Sequence, residues 1–430
     1  KKTYAQLSAA QLHFFNSTDL GKIHQLLPDD QLAGLFPAKK PQGARPWLTN
    51  AGKIRLMLLK HYSGLSDEKL VERLNTDWAY QAFCHLTLLP GEVIKDRSLV
   101  TRVRKEVSAL GWSCLQNLFQ SHWRQLLSPQ ELKTLLMDAS CYESWIRYPT
   151  DIKLIWESCQ WIHQGIVGLC STLSLRRPRN KFLAQQKKYM AYARRRKKTY
   201  QQTQRLRRSL LYLLEKLVGQ LQDIFDAHQI NWMGKTFYER LKTIKTIIVQ
   251  QKYLLNKPSS ALAKRIVSLA KPYVRPIVRG KETKPTEFGA KAHITLTAGL
   301  AWIEHLSFEA FHEGIRLKKA VIKHEHTFGQ CKMLGADNIY PTNENRRFIT
   351  QRKIQTCFAK KGPKPLSLQE KQVQTIIYKA RASQMEGVFG NQKNHYLLTK
   401  VKARSESAEE IWIFFGILTA NAVKLAKQAA

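Results

Sequence analysis

The sequence predicts an α/β fold: a mixed-sheet core, split by a long helical insertion and preceded by an all-α N-terminal region. Three observations carry this. Strand-like apolar runs fall in two places far apart, near residues 132–141 and again over 287–358. The stretch between them, 151–275, reads as mostly helical. The first part of the chain reads as short helices punctuated by caps and glycine stops. A chain of 430 residues accommodates about two to four structural units. The expected divisions are 1–130, 131–155, 156–275 and 276–430, the second and fourth forming one core around the third.

Taken in order, residues 11–27 read as one amphipathic helix. The breaker-rich stretch from Phe36 to Gly43 reads as a loop. Thr49 or Asn50 can cap a helix over 53–62, Gly64 stops it, and Ser66-Asp67-Glu68-Lys69 starts the next. Two short helices about a glycine turn fit a helix-turn-helix as well as a plain bundle. A third helix, over 96–110, carries Arg102 and Arg104. The apolar run 132–137 then reads as a buried strand reaching Asp138, with 139–141 continuing it. An acid in that position needs a partner, because an unpaired buried carboxylate is costly, and a metal ion is one such partner.

The following region concentrates the charge. Lys and Arg number 70 against 32 Asp and Glu, a formal net charge of +38. Such an excess attracts polyanions through phosphate neutralisation and counterion release. Nucleic acid is the first candidate and an anionic membrane surface the second. No apolar run of about 18 residues is present to span a bilayer. The apolar stretch 411–423 ends at Lys424 and reads as a core-packing helix, and the basic N-terminus has no apolar block behind it to make a signal peptide. Between Ser158 and Leu214 there is no Asp or Glu at all. That stretch holds Arg176, Arg177 and Arg179, then Arg194, Arg195, Arg196, Lys197 and Lys198, interleaved with Tyr189, Tyr192 and Tyr200. A basic run is usually a solvated face. Without compensating acids this one repels itself unless a polyanion lies against it, so phosphate contact is expected. An apolar helix over 209–225 is expected to pack on its neighbours or on a second protomer.

Past Pro276 the period changes. Phe288, Ala290, Ala292, Ile294 and Leu296 alternate as in a strand, and 300–306 can pair with them as a hairpin. A helix over 313–327, a strand over 331–336 reaching Asp337, a strand over 354–358 and a long helix carrying Glu386 follow. The seven cysteines form no CxxC pair, which argues against zinc ligation and for buried thiols in a reducing cytoplasm. Trp145, Trp156, Trp161 and Trp302 read as core, and His324 and His326 as solvated or core-satisfied rather than ligands.

Three carboxylates brought together would repel one another, and divalent cations relieve that repulsion. The flanks sharpen the reading. Leu136-Met137-Asp138-Ala139-Ser140 with Tyr148-Pro149-Thr150-Asp151, Arg275-Pro276-Ile277-Val278-Arg279-Gly280-Lys281 with Glu287-Phe288-Gly289-Ala290-Lys291, Gly335-Ala336-Asp337-Asn338-Ile339-Tyr340, and Met385-Glu386-Gly387-Val388-Phe389-Gly390-Asn391-Gln392-Lys393 resemble blocks of the bacterial insertion-sequence DDE transposases. The resemblance implies an RNase H-like core in which the first and fourth strands are neighbours. Asp138, Asp337 and Glu386 would then be catalytic metal ligands for two Mg²⁺ ions, with Mn²⁺ as a substitute. It further implies cut-and-paste transposition on double-stranded DNA, both transposon ends and target, by a homodimer in the bacterial cytoplasm at the nucleoid. Lys393, seven residues after Glu386, corresponds to the Lys of the Tyr-Arg-Glu-Lys signature, which contacts DNA phosphate. Tyr378 and Arg381 keep that signature's mutual spacing, but Arg381 precedes Glu386 by five residues, one more than usual. On an ideal helix this turns it roughly 140° from Glu386. Lys379, one heptad before Glu386, shares its face and is the candidate substitute. Two other readings stay open: a non-catalytic DNA-binding descendant of a transposase, and an RNase H-like nuclease or resolvase.

Overall fold

The computed structural model describes residues 8–36, 46–86, 88, 91–258, 262–278, 285–362 and 365–428. The basic N-terminal residues 1–6, the loop residues 37–43, the block Arg279-Gly280-Lys281 and the pair Pro363-Lys364 lie outside them. The chain forms two compact units, Lys1–Trp145 with Gly289–Ala430, and Ile146–Phe288.

The first unit begins with eight helices: α1 Ala9–Ser17, α2 Asp19–Gln25, α3 Asp29–Ala33, α4 Asn50–Ser63, α5 Asp67–Thr76, α6 Trp78–Phe83, α7 Leu99–Ser108 and α8 Trp112–Arg124. The single helix expected over 11–27 is two. Thr18 is extended; its hydroxyl caps α2 by accepting from the Gly21 amide, and its own amide donates to Phe15 O. A β-carbon on Gly21 would sit 1.9 Å from Phe15 O, so the two helices meet at a contact only glycine allows. Thr49 caps α4, Gly64 ends it in the left-handed region at φ 68°, and Ser66 caps α5, as the sequence indicates. The helix expected over 96–110 starts later, because Asp96 accepts from both the amide and the hydroxyl of Ser98 and so holds a turn before Leu99.

Strand β1, Thr134–Glu143, follows. The chain then enters the second unit with α9 Asp151–Thr172, α10 Phe182–Arg194, α11 Tyr200–Ala227 and α12 Lys235–Asn256. Their seam is aliphatic: Ile155, Ile162 and Ile166 of α9 and Ile244 and Ile247 of α12 pack with Leu210, Leu214, Leu217 and Leu221 of α11. The apolar helix expected over 209–225 thus has partners within its own chain. Three- and four-residue spacing puts each set on one stripe. Strand β2, Pro276–Val278, pairs antiparallel with the first residues of β3, Thr286–Thr297, closing the unit.

From Gly289 onward β3 belongs to the first unit. It turns through Ala298 and Gly299, at φ 49° and 74°, into β4, Leu300–Ser307; two consecutive left-handed residues make the tight two-residue hairpin loop. A 3₁₀ turn at Glu313–Arg316 leads into α13 Leu317–Phe328, then β5 Met333–Gly335, α14 Asn343–Gln351, β6 Gln355–Thr356, α15 Leu368–His395 and α16 Glu406–Gln428. The last two strands are shorter than the apolar runs suggested. The sheet runs β4-β3-β1-β5-β6, with β1 antiparallel to β3 and parallel to β5. The outer edge of β4 is covered by side-chain amides: Asn421 brackets the Ala301 amide and carbonyl, and Gln116 those of Ile303. Helix α16, buried without a break from Ile411 to Ala422, packs against α2, α4, α7 and α8. Among the described residues no helix is long and apolar enough to cross a membrane.

Alternation along β1 sends Leu135 and Met137 to the α13 face, where they pack with Leu317, Ala320 and Val321. Leu136, Asp138 and Ser140 face the other way, towards α15. Gly335 permits the close approach there: a β-carbon on it would lie 2.7 Å from Leu136 and 3.1 Å from Arg381 and Ile377.

Candidate active site

Asp138 lies within β1 rather than at its end, since the strand continues to Glu143. Its neighbour ends first. Leu136 is the last residue of β1 paired with β5, opposite Gly335, so Asp138 and Asp337 leave the parallel pair at the same point. Each carboxylate folds back on the following backbone amide: Ala139 N donates to Asp138 Oδ1 at 2.8 Å and Asn338 N to Asp337 Oδ1 at 2.7 Å. The Arg381 guanidinium reaches between them from α15, 2.5 Å from Asp138 Oδ2 and 3.8 Å from Asp337 Oδ2. Burial raises the Asp138 carboxyl pKa. Arg381 opposes that rise, while Glu313 and Asp337 add to it.

Beside the pair, the Tyr340 hydroxyl is fully buried and has no hydrogen-bond partner among the described residues. Burial first, then the charges of Glu313 and Asp138, push it to resist ionisation. An all-oxygen donor set, two carboxylates already sharing one cation and an orphaned hydroxyl next to them together fit a hard divalent cation.

Glu386 stands apart. It is exposed and makes no hydrogen bond or ion pair among the described residues, and the ligand atoms of Asp138, Asp337 and Glu386 do not gather within 4.8 Å of one another. The five-residue offset explains this: with Arg381 turned to the sheet, Glu386 rotates away by roughly 140°. Lys393, on the Glu386 stripe two turns on, donates to Ser140 Oγ at 2.9 Å and lies 5.8 Å over the Tyr142 ring. Lys379 and Tyr378 are exposed on the same helix.

Arg176, Arg177 and Arg179 are exposed between α9 and α10, and Arg194 to Lys198 are exposed at the end of α10 and in the loop after it. Arg102 is exposed and pairs with Asp96 at 2.7 Å. Arg104, expected among the DNA-facing cations, points inward instead: it is buried, holds both oxygens of Asp67 at 2.9 Å and lies 4.7 Å over the Trp412 ring. Trp145, expected in the core, is 60% exposed with Lys402 over its ring, whereas Trp156 and Trp302 are buried. Cys114 is exposed, unlike most of the free thiols. His324 is buried beside the Thr297 hydroxyl, and His326 is exposed. Sequence reasoning passed over Glu313 and Tyr340 as neighbours of the carboxylates. Tyr340 had a signal, three residues past Asp337. Glu313 had none, since it arrives from a separate turn.

Two family models match the chain: "Transposase domain (DUF772)" over residues 11–106 and "Transposase DDE domain" over residues 334–421. A protein of Rhizobium meliloti described as uncharacterized protein ORF8 in the nfe locus is 30% identical over 146 residues, covering 31% of this chain and 69% of that protein. No solved structure matches the chain.

Proposed function

The chain belongs to the insertion-sequence DDE transposases, and on that premise we propose that it binds the terminal inverted repeats of its element, cuts them and joins them to target DNA. The observation that carries this is the Asp138–Arg381–Asp337 cluster, because it sets two carboxylates and a cation at the gap where β5 stops. The sheet order, with β1 beside β5, supports an RNase H-like core, and the helices of Ile146–Phe288 support its reading as a basic insertion.

DDE domains generally use divalent metals. In this reading Asp138 and Asp337 hold them, Glu386 joins on a turn of α15 that brings its exposed carboxylate towards the pair, and Mg²⁺ is the ion the oxygen ligands suit, with Mn²⁺ as substitute. When bound, two such ions polarise the phosphate and activate the attacking oxygen of an in-line displacement. The protein's own groups position the DNA. Lys393 sets a cation beside Ser140, on the strand face Asp138 shares, where a phosphate near the cut can meet it. Tyr378 and Lys379 extend that contact along the exposed side of α15. Arg176, Arg177, Arg179, Arg194 to Lys198 and Arg102 neutralise phosphates further along the duplex, with α4 and α5 as a helix-turn-helix. Arg104 has no part in this. Because two ends must be cut in concert, the working form is a homodimer acting at the nucleoid.

The test incubates purified protein with Mg²⁺ and end-bearing DNA and maps the cut and joined strands. Cleavage at the ends followed by strand transfer is expected, abolished by Asp138→Asn or Asp337→Asn with end binding retained. Cleavage without joining and without end preference would indicate a nuclease instead. Binding without any cleavage would indicate a non-catalytic descendant.

A further inference from the structure

Away from the carboxylates, the N-terminal helices bring three Lewis-basic atoms together. His24 lies on α2, Asp29 opens α3, and His85 stands two residues past the end of α6. His24 Nε2 and His85 Nε2 are 3.1 Å apart, and His85 Nε2 and Asp29 Oδ2 are 3.5 Å apart. All three ligand atoms lie within 4.8 Å of one another.

Protons alone serve this arrangement poorly. If His24 donates to His85, the accepting nitrogen turns its lone pair towards a carboxylate oxygen. If His85 donates to Asp29, that hydrogen is directed away from the ring nitrogen of His24 3.1 Å off. A doubly protonated ring would resolve the conflict. A second ring proton, however, would face the wholly buried Arg55 guanidinium, which donates to His24 O at 3.3 Å. Neutral imidazoles are ready ligands, with no proton to displace.

We propose that His24, Asp29 and His85 bind a zinc ion that ties α2 and α3 to the turn after α6, with water as the fourth ligand. A tetrahedral site with bonds of about 2.0–2.1 Å has ligand–ligand edges of about 3.3–3.4 Å, and the two observed separations straddle that value. Two nitrogens and one carboxylate oxygen favour zinc over magnesium or calcium. Arg55, wholly buried, binds Asp29 Oδ1 at 2.6 and 2.9 Å and leaves Oδ2 to face the histidines. It orients the ligating carboxylate as outer partners of metal sites do, and its charge makes the site weaker than a four-ligand structural one. His85 itself stands in the left-handed region at φ 52°, in the turn after α6. Cysteine spacing could not reveal such a site, because none of its ligands is a thiol.

The experiment uses full-length protein carrying Asp138→Asn and Asp337→Asn, so that the catalytic carboxylates cannot take up the ion. After chelator treatment and dialysis against Zn²⁺, one zinc per chain is expected by elemental analysis, with a rise in thermal midpoint. Co²⁺ in its place should give the visible absorption of a four-coordinate ion. Adding His85→Asn keeps a residue that tolerates the left-handed turn, and Asp29→Asn keeps the shape of the carboxylate. Each should lower zinc affinity on the order of tenfold or more while leaving the far-ultraviolet circular dichroism of the zinc-free protein unchanged. Failure of the parent to take up zinc would overturn the proposal, as would equal uptake by both added variants.

Discussion

Arg381 sets the electrostatics of the carboxylate pair. Its guanidinium lies 2.5 Å from Asp138 and 3.8 Å from Asp337, where it offsets the repulsion of two neighbouring anions. A divalent cation would compete for the same oxygens. Arg381→Gln should therefore tighten Mn²⁺ binding, roughly three- to tenfold if the competition is worth about 1 kcal/mol. Electron paramagnetic resonance titration of free Mn²⁺ measures this without reference to activity. Weaker Mn²⁺ binding in the variant would instead make Arg381 a residue that positions the carboxylates. Glu386→Gln probes the remaining acid. Cleavage is expected to fall at least about 100-fold, a loss of roughly 2.7 kcal/mol of transition-state stabilisation, with end binding unchanged. Normal cleavage would remove Glu386 from the site and leave the pair with Glu313 as its acidic neighbour.

At the scale of elements, β3, β4 and the turn before α13 are joined through the buried Glu304 carboxylate. Glu304 accepts from His293 Nδ1 at 2.9 Å and from both the Nε and Nη2 of Arg316. Burial alone would raise its pKa, but the hydrogen bonds and charges of His293 and Arg316 outweigh it and bring Glu304 from 4.5 to about 2. A carboxylate depressed in the folded state stabilises it above the unfolded pKa, and that stability is lost as the pH falls through the folded one. Glu304→Gln should consequently unfold at lower urea than the parent near neutral pH. The difference should shrink between pH 4.5 and about 2. A gap that stays constant with pH would assign the loss to packing. In the second unit, Leu214 is fully buried in the seam of α9, α11 and α12. Leu214→Ala should cost about 2–5 kcal/mol, read as a drop in the thermal midpoint.

For the whole molecule, the net charge is +38, and the acid-free stretch contributes a dense exposed run at Arg194 to Lys198. Each phosphate contact adds about 0.9 to the slope of log K against log salt. Neutralising Arg194 to Lys198 together should flatten that slope by up to about 4.5 and weaken end binding. An unchanged slope would place the DNA elsewhere on the surface.

Local features were legible in the sequence because local physics makes them. Thr49 and Ser66 cap helices, Gly64 ends one, and the alternation over 288–296 is a strand, each set by hydrogen bonds and sterics within a few residues. The charge and the order of elements around Asp138 and Asp337 were likewise readable, and the blocks flanking those carboxylates carried the resemblance to the family. What only the tertiary structure decided is rotation and partnership. Arg381 rather than Glu386 meets the carboxylates because the bare backbone of Gly335 lets α15 settle with that face against β1. Arg104 is buried because Asp67 and Trp412, distant in sequence, enclose it. His24, Asp29 and His85 converge only once three helices have packed. A helix's own sequence specifies which residues share a face; which face meets which neighbour depends on side chains far along the chain, and that is a property of the folded core.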